Sequence, residues 1–310
     1  ISREHFEKAL ENVPEIKDKI EFFIDWDVDN FNSSMSNSEI LLTYDFPTNN
    51  LKSIAPNLKW IHCTAAGVEH LFPFDWTYDN LKITNSSGVH AKKAGEYGLM
   101  SVLMLQNHLP KIITNQKNKE FISTFGNPIA GKNIVLVGTG ALGSSMAKLV
   151  EPLGANIIGV NKKGKSVEGC SQILTIDKLD TVLPKADILY LALPETPETK
   201  NLINKRRLDL LKTTCGIVNI GRQSALDYEV LCDKLEKSEI AGAILDVFNP
   251  EPIDKSSRLW NTKNLVITPH VSSDDNGNYV KMTLELFVKN LKLFIEKKEL
   301  ENQIDKELGY

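Results

Sequence analysis

Between residues 131 and 267, short apolar runs alternate with longer amphipathic segments, and this alternation constrains the fold more than any other feature of the chain. The runs are rich in Ile, Leu and Val, which is typical of strands buried on both faces of a parallel sheet. They occur at 134–137, 157–160, 173–174, 188–193, 217–220, 241–245 and 265–267. The segments between them, such as 142–153 and 225–235, are long enough for right-handed crossover helices. The pattern predicts an α/β fold with a doubly wound parallel sheet.

The chain on either side of this region is expected to form a second, smaller α/β domain. Before residue 90 the pattern is less regular, with candidate strands at 21–24, 40–43, 60–63 and 81–84. Near the other end, apolar residues recur at helical spacing through 280–294 without a further strand, so this helix is expected to cross back onto the first domain. The predicted division is a domain of residues 1–89 and 288–310 and a larger domain of residues 90–287.

Composition and charge narrow the functions open to the chain. Lysine and arginine number 36 against 40 acidic residues, a formal charge of −4, which gives no electrostatic reason to expect nucleic acid or an anionic membrane as a partner. No apolar stretch approaches the roughly 18 residues of a membrane span. The four cysteines are scattered, without a C-x-x-C pair or histidines at metal-ligand spacing. Free thiols, no metal site and a cytoplasmic location are therefore expected.

A glycine-rich turn follows the first apolar run and opens an amphipathic segment, which is the context that a dinucleotide-binding fingerprint requires. It reads Gly138-Thr-Gly140-Ala141-Leu142-Gly143. Gly138 would permit the tight turn, Gly140 would let the backbone approach a pyrophosphate, and Gly143 would let helix and strand pack closely. Amides at the helix N-terminus would bind the phosphates. The alternative is a turn with incidental glycines, which the βαβ pattern on both sides disfavours.

The end of the second apolar run bears on the choice between NAD and NADP. An acid at this position usually binds the ribose 2′-hydroxyl of NAD, and it would repel a 2′-phosphate. This chain has Asn161, Lys162 and Lys163 instead. The amide and the two ammonium groups favour NADP(H) over NAD(H), unless both lysines are merely solvated residues of a surface loop.

Three polar residues that close later apolar runs suggest chemistry on a small keto acid: Arg222, Glu251 and His270. An arginine matches a carboxylate or polarises a carbonyl, a histidine exchanges a proton near neutral pH, and a glutamate can hold that histidine oriented and charged. Singly, each has an ordinary explanation as a solvated arginine, a turn acid or a loop histidine. Because all three follow strands of one parallel sheet, we expect them to share a crevice at its carboxyl edge.

The ordered motifs resemble those of the D-isomer-specific 2-hydroxyacid dehydrogenases, a family that includes glyoxylate and hydroxypyruvate reductases. The resemblance covers nearly the whole chain. Besides the glycine loop, it rests on Ala65-Ala-Gly67-Val-Glu-His70, Asn85-Ser-Ser-Gly88-Val89, Leu193-Pro194 with Thr196 and Thr199, Asn219-Ile-Gly-Arg222, Asp246 to Pro252, Thr268-Pro-His270 and Leu308-Gly-Tyr310. The chain departs from the commonest family pattern at Asn161, where the acid is absent, and at Ser272-Ser273-Asp274.

This resemblance implies a Rossmann cofactor domain, a smaller flavodoxin-like α/β substrate domain, an active site in the cleft between them, and a homodimer. Arg222 would bind the substrate carboxylate and carbonyl, Glu251 would pair with the catalytic histidine, and His270 would exchange a proton with the substrate oxygen. Asp246 would face the nicotinamide amide. The expected substrate-binding residues are Ala66, Gly67, Val68, Arg222 and His270. The expected cofactor-binding residues are Gly138, Gly140, Ala141, Leu142, Gly143, Asn161, Lys162, Lys163, Leu193, Pro194, Thr199, Ile220, Gly221, Arg222, Asp246, His270 and Ser272.

Two classes of function remain open from the sequence. The first is an NAD(P)-dependent reductase that converts a small 2-keto acid, glyoxylate or hydroxypyruvate in type, to the D-2-hydroxy acid. The second is a dinucleotide-sensing binding protein, such as a transcriptional corepressor of this fold, with little or no turnover. The presence of Arg222, Glu251 and His270 together favours the reductase.

Overall fold

The structure, a computed structural model, describes residues 1–25, 28–275 and 277–306. The strands are β1 (Ile40–Thr43), β2 (Trp60–Cys63), β3 (Lys82–Asn85), β4 (Asn133–Val137), β5 (Asn156–Val160), β6 (Gln172–Leu174), β7 (Ile188–Leu191), β8 (Gly216–Asn219), β9 (Gly242–Leu245) and β10 (Leu265–Ile267). The α-helices are α1 (Arg3–Leu10), α2 (Phe31–Met35), α3 (Leu51–Ile54), α4 (Ala91–Gln106), α5 (Leu109–Lys117), α6 (Ala141–Val150), α7 (Leu179–Val182), α8 (Lys205–Leu208), α9 (Tyr228–Glu236) and α10 (Tyr279–Ile295). Short 3-10 helices lie at Pro14–Lys19, Val28–Asn30, Glu69–Leu71, Phe74–Trp76, Glu151–Leu153, Ile176–Lys178, Leu183–Lys185, Gln223–Ala225 and Arg258–Asn261. Within the described ranges, no helix combines the length and the apolar character needed to cross a bilayer.

The chain divides into two compact units, Ile1–Val89 with Asp275–Tyr310 and His90–Asp274. All of α10 lies in the first unit, whereas the sequence prediction placed the domain boundary inside this helix, between residues 287 and 288. The reason is packing, because Leu284 and Phe287 are already part of a core cluster of the first unit. The terminal motif Leu308-Gly-Tyr310 lies outside the described residues.

The second unit is built on one sheet with the strand order β6-β5-β4-β7-β8-β9-β10. Every neighbouring pair is parallel. The order reverses between β4 and β7, which gives the 3-2-1-4-5-6 arrangement of a Rossmann fold with one further strand after it. All seven strands predicted from the apolar runs are present, and their ends differ from the predicted ones by at most two residues. The doubly wound α/β fold is confirmed.

The continuous apolar runs form strands because both faces of this sheet are covered. Successive residues of a strand point to opposite faces. In β4, Ile134 and Leu136 belong to one core cluster, with residues of α4 and α6. Val135 and Val137 belong to another, with residues of α7, α8 and α9. A strand whose two faces both pack into a core has no polar face. Polar and apolar residues therefore do not alternate along its sequence.

The two crossover helices that the sequence predicts are present and are shorter than predicted. Helix α6 passes at Val150 into the 3-10 helix Glu151–Leu153. Pro152 lies in this last turn and lacks the amide proton that a continuing α-helix needs. Helix α9 begins only at Tyr228, because the Asp227 side chain caps it by accepting the amide proton of Val230 at 3.1 Å.

The first unit holds a smaller parallel sheet with the order β1-β2-β3. These strands confirm the predictions at 40–43, 60–63 and 81–84, whereas the predicted strand at 21–24 is wrong because these residues form no regular structure. Its Phe22 packs edge-on against Phe6 of α1, with ring centroids 4.6 Å apart. The apolar character of the segment therefore reflects ring packing rather than pairing in the sheet.

The first sheet also contains a buried polar cluster centred on His62, which is 0% exposed. Its Nδ1 lies 2.7 Å from Thr84 Oγ1, and its Nε2 lies 3.2 Å from Ser86 Oγ. Trp60 Nε1 donates to Thr84 Oγ1, and Ser86 Oγ donates to the carbonyl oxygen of Cys63. Every hydrogen-bond donor of this cluster has an acceptor when His62 is neutral with its proton on Nε2. Burial lowers the pKa of His62 to about 4.

Candidate active site

Polar and glycine residues follow the carboxyl ends of six neighbouring strands in the second unit. They lie after β4 (138–143), β5 (161–163), β7 (193–199), β8 (220–222), β9 (246–251) and β10 (270–272). Because the strands are parallel, these ends share one edge of the sheet, where doubly wound folds bind ligands. The predicted substrate residues Ala66, Gly67 and Val68 belong to the first unit, where they follow β2.

Steric limits shape the glycine loop after β4. Gly138 has φ +95°, and a β-carbon there would collide with the carbonyl oxygen of Ala192. A β-carbon on Gly143 would collide with the carbonyl oxygen of Gly138, so α6 packs on the loop only because residue 143 is glycine. At Gly140, nothing lies within 4 Å of an added β-carbon. An open loop before the first amides of α6, which have no acceptor inside the helix, fits a dinucleotide pyrophosphate.

The loop after β5 is tied to the glycine loop by Asn161. Its side-chain nitrogen donates to the Thr139 hydroxyl at 2.9 Å and to the carbonyl oxygen of Lys165 at 3.0 Å. Its side-chain oxygen is buried and accepts no hydrogen bond from the described residues. Lys165, which follows Gly164 at φ +63°, is a third lysine of this loop and was missed by the sequence analysis.

An ion pair links the lysine loop to the segment after β7. The Lys162 ammonium lies 3.6 Å from the Glu198 carboxylate, and both side chains are at least half exposed. Hydrogen bonds from its own backbone amide and from Thr196, together with the nearby Lys162, lower the pKa of Glu198. Lys163 forms no salt bridge with any described residue. The loop therefore presents several cations, one of them shared with an acid.

His270 and Glu251 lie in direct contact. Nδ1 of His270 is 2.8 Å from Oε2 of Glu251, and the amide of Phe248 donates to Oε1 of the same carboxylate at 2.7 Å. A carboxylate only accepts hydrogen bonds, so the Nδ1 atom of His270 carries the proton of this contact. Nε2 is then the ring nitrogen available to a substrate. The side chains of His270 and Glu251 are 45% and 35% exposed, which leaves them within reach of a ligand.

The backbone around His270 is anchored to Asp246, the residue directly after β9. Asp246 is 0% exposed, and its carboxylate accepts from the Thr268 hydroxyl at 2.5 Å and from the amides of Val271 at 3.0 Å and Ser272 at 2.9 Å. His270 itself has φ +53°. Asp246 thus holds residues on both sides of His270, in addition to the nicotinamide contact that the sequence analysis expects of it.

The loop that carries Arg222 is built by Asn219 at the end of β8. The Asn219 side chain accepts from the Gly221 amide at 3.1 Å and donates to the Arg222 carbonyl oxygen at 3.1 Å. It also donates to the hydroxyl of Tyr228, which donates to the carbonyl oxygen of Val247. The loops after β8 and β9 are thereby joined. Sequence reasoning quoted Asn219 only as part of a motif, and its polar side chain at the end of an apolar run is the signal that could have identified it.

The neighbouring loop after β7 packs closely on the loop after β8. A β-carbon on Gly221 would lie 2.5 Å from the backbone nitrogen and oxygen of Leu193, so only glycine fits there. Thr199 closes the same loop by donating to the carbonyl oxygen of Pro194 at 2.7 Å. Ile220 is 3% exposed and belongs to the core below. Leu193 and Gly221 are therefore brought together, whereas Ile220 contributes packing.

In the first unit, the loop after β2 is held by its carbonyl groups. The side chain of Asn85 donates to the carbonyl oxygen of Ala66 at 2.6 Å, and the amide of Ser86 donates to that of Ala65 at 2.9 Å. The amides of Ala66, Gly67 and Val68 donate to no acceptor in the part of the chain that the structure describes. This arrangement leaves consecutive amide protons for an anion.

Comparison with known families and proteins agrees with this geometry. The family model described as "D-isomer specific 2-hydroxyacid dehydrogenase, NAD binding domain" matches residues 99–272, which is more than half of the chain. A glyoxylate reductase from Thermofilum pendens is 33% identical over 226 residues, covering 71% of this chain and 67% of that protein.

Two solved structures have the same fold over the full length of the chain. One is a D-isomer specific 2-hydroxyacid dehydrogenase from Xanthobacter autotrophicus in complex with NADPH and MES, with a TM-score of 0.84 at 24% identity, covering 100% of this chain and 96% of that one. The other is an NADPH-dependent glyoxylate/hydroxypyruvate reductase from Sinorhizobium meliloti in complex with NADP and sulfate, with a TM-score of 0.83 at 24% identity, covering 100% of this chain and 97% of that one. Together with the family match, these findings show that the chain belongs to the D-isomer specific 2-hydroxyacid dehydrogenase family and is an NAD(P)-dependent oxidoreductase.

Proposed function

We propose that this protein reduces a small 2-keto acid, of the glyoxylate or hydroxypyruvate type, to the D-2-hydroxy acid, and that it uses NADP(H) in preference to NAD(H). The observation that carries this proposal is the 2.8 Å contact between Nδ1 of His270 and the Glu251 carboxylate. This contact lies at the sheet edge that also holds the glycine loop. An oriented imidazole beside a nicotinamide site is what hydride transfer to a carbonyl requires.

The residues divide the work of reduction between binding and proton transfer. When bound, the reduced nicotinamide supplies a hydride for the carbonyl carbon. Arg222 binds the substrate carboxylate and carbonyl oxygen with its planar fork of donors. His270 donates the proton on Nε2 to the carbonyl oxygen, while Glu251 orients the ring and stabilises the imidazolium. In the oxidation direction, His270 takes this proton back.

The amides of Ala66, Gly67 and Val68 are proposed to hold the substrate carboxylate. Their lack of other acceptors among the described residues supports this role, because unpaired consecutive amides bind anions. Arg222 then acts on the carbonyl oxygen as well as on the carboxylate. A small substrate is supported by the relative from Thermofilum pendens, which is named a glyoxylate reductase.

The preference for NADP(H) is supported by the loop after β5. Lys162, Lys163 and Lys165 place ammonium groups in the loop that follows the second strand of the Rossmann unit, where a ribose 2′-phosphate would need cations. No acid occupies the position of Asn161 to repel a 2′-phosphate. The structures from Xanthobacter autotrophicus and Sinorhizobium meliloti contain NADPH and NADP, respectively.

A homodimer is proposed as the assembled form. In the second unit, the side chains of Phe121, Ile122 and Phe125 are 103%, 55% and 86% exposed, on a segment without regular secondary structure. Apolar side chains clustered in this way mark an interaction surface more often than single exposed ones do. A second copy of the chain would cover them. Light scattering should then report a dimer for the wild type and a monomer after Phe121→Ser with Phe125→Ser.

A panel of keto acids assayed with NADPH and with NADH tests the proposed activity, because loss of reduced-nucleotide absorbance requires turnover. Glyoxylate or hydroxypyruvate with NADPH should give the highest kcat/KM. Tight binding of the nucleotide with no turnover of any keto acid would refute the reductase and leave the dinucleotide-sensing binding protein as the better hypothesis.

A further inference from the structure

A chain of hydrogen-bonded hydroxyl groups leads from the buried Tyr97 of α4 to the turn that carries His270. The Tyr97 hydroxyl lies 2.7 Å from Thr268 Oγ1, and Thr268 Oγ1 donates to Asp246 Oδ1 at 2.5 Å. Tyr97 is 5% exposed, and Asp246 is fully buried. Neither Tyr97 nor Thr268 has a part in the reduction as described above, so their connection to the turn needs its own explanation.

The direction of these hydrogen bonds follows from the number of protons available. A hydroxyl group has one proton to donate, and Thr268 gives its proton to Asp246. Tyr97 is therefore the donor to Thr268. Burial raises the pKa of Tyr97, which keeps this donor protonated at neutral pH. Each donation polarises the next hydroxyl, so Tyr97 strengthens the bond from Thr268 to Asp246.

The carboxylate of Asp246 binds the turn on both sides of His270. Thr268 binds Asp246 through its side chain on one side, and the amides of Val271 and Ser272 bind it on the other. Between these anchors, His270 has φ +53°, a conformation that costs free energy for a residue with a β-carbon and persists only where the surroundings impose it. The bonds to Asp246, together with the hydrogen bond from the His270 amide to the carbonyl oxygen of Thr268 at 3.0 Å, hold His270 in this conformation.

We propose that Tyr97 is a positioning residue for the reduction, which acts through Thr268 and Asp246 to fix the turn that presents His270. The inference rests on the proposed function in one respect, that His270 is the proton donor. A proton donor displaced by a fraction of an ångström slows the reaction even in a folded enzyme with its cofactor site intact. Loss of the Tyr97 hydroxyl should therefore reduce kcat and leave the nucleotide KM unchanged.

Tyr190 on β7 provides a matched control. It belongs to the same core cluster as Tyr97 and is 0% exposed, but its hydroxyl has no hydrogen-bond partner among the described residues. Tyr190→Phe removes the same atom from the same core as Tyr97→Phe. Only Tyr97→Phe breaks a hydrogen bond to the turn. A general effect of losing a hydroxyl group from the core would therefore appear in both variants.

Steady-state kinetics separate the two tyrosines. Tyr97→Phe should lower kcat about tenfold with little change in the KM for NADPH, whereas Tyr190→Phe should stay within about twofold of the wild type. Thr268→Val should match or exceed the loss in Tyr97→Phe, and Thr268→Ser, which keeps the hydroxyl, should restore most of the activity. Equal kcat values in Tyr97→Phe and Tyr190→Phe would overturn the proposal.

Hydrogen exchange gives a readout that does not need turnover. Amides of a peptide covering residues 268–275 should exchange faster in Tyr97→Phe and Thr268→Val than in the wild type or Tyr190→Phe. If this contrast appears while the wild type reduces no keto acid, the proposed function fails and the anchoring of the turn by Tyr97 stands. If Tyr97→Phe and Tyr190→Phe exchange alike in this peptide, the positioning role of Tyr97 is refuted whatever the activity.

Discussion

Two loops at one edge of the second sheet hold their charged groups in opposite ways. In the turn at 268–272, the anchoring carboxylate of Asp246 is fully buried and accepts three hydrogen bonds. In the loop at 161–165, Lys162 is half exposed and reaches its partner Glu198 only at 3.6 Å. Water and salt screen exposed charges, whereas buried ones are held in place by their partners. We therefore expect single substitutions at the turn to change the rate strongly, and single substitutions in the lysine loop to change cofactor affinity in small steps.

His270→Ala should give the largest effect and is the strongest test of this contrast. It removes the proton donor but none of the groups proposed to bind the pyrophosphate, so kcat should fall on the order of 100- to 10,000-fold. The dissociation constant for NADPH, measured by fluorescence titration, should stay within about twofold. Glu251→Gln, which keeps the shape but not the charge, should lose less. Reduction by His270→Ala at a rate within tenfold of the wild type would show that another group donates the proton.

In the first unit, the burial of His62 should make the free energy of unfolding depend on pH. Because burial lowers its folded pKa to about 4 from the ordinary value near 6.5, the unfolded chain takes up a proton before the folded one does as pH falls. The stability contributed by neutral His62 is present above pH 6.5 and is lost as pH falls toward 4. Between pH 7 and pH 5, the free energy of unfolding should drop by about 2 kcal/mol on this account.

Urea unfolding followed by tryptophan fluorescence measures this loss. His62→Gln keeps hydrogen-bonding groups at the site and cannot titrate, so its stability should fall less between pH 7 and pH 5 than that of the wild type. His5→Gln, at an exposed position of α1, serves as the matched control and should behave as the wild type does. A pH dependence that is unchanged in His62→Gln would contradict the assignment.

The fold was predictable wherever burial alone decides the structure. In the second unit, six of the seven strands are largely apolar because each packs into two cores, and this leaves a direct trace in the sequence; the exception is the edge strand β6. The segment 21–24 was misjudged because apolar residues do not reveal a pairing partner, and Phe22 is half-buried against the ring of Phe6 instead of lying in the sheet. The end of the larger domain was hard to locate because α10 has one uninterrupted apolar periodicity.

The candidate site was predictable where a charged residue interrupts an apolar run, as at Arg222 and His270. Tyr97 left no such trace, because a tyrosine on an apolar helix is indistinguishable in sequence from any other core residue. Lys165 was missed for a different reason. Its carbonyl oxygen accepts a hydrogen bond from the side chain of Asn161 at 3.0 Å, and this contact is not visible in the sequence. Residues that act through a neighbour's backbone or a buried hydroxyl are thus the ones that required the structure.

Neutralising the lysine loop should give intermediate effects. Lys162→Gln with Lys163→Gln should raise the KM for NADPH several-fold, at about threefold for each lysine, with little change in the KM for NADH. Lys165→Gln should raise the KM for NADPH by a similar factor. The increments should shrink at high salt, because these charges are exposed. Lys185→Gln, at an exposed position before β7, is the matched control. Equal increases in the KM for both nucleotides would remove the argument for a 2′-phosphate site.

The smallest expected effect lies at Glu198, the acid that shares Lys162. Its carboxylate is 3.6 Å from the ammonium group, so a 2′-phosphate would have to compete with it. Glu198→Gln should end this competition and lower the KM for NADPH about twofold, in line with the small free energy of an exposed ion pair. Glu168→Gln breaks the comparable exposed pair with Lys148 and should leave both nucleotide KM values unchanged. The gain should vanish when Lys162 is already glutamine, since the two residues act as a pair. A higher KM for NADPH in Glu198→Gln would mean that Glu198 orients Lys162 toward the cofactor instead of withholding it.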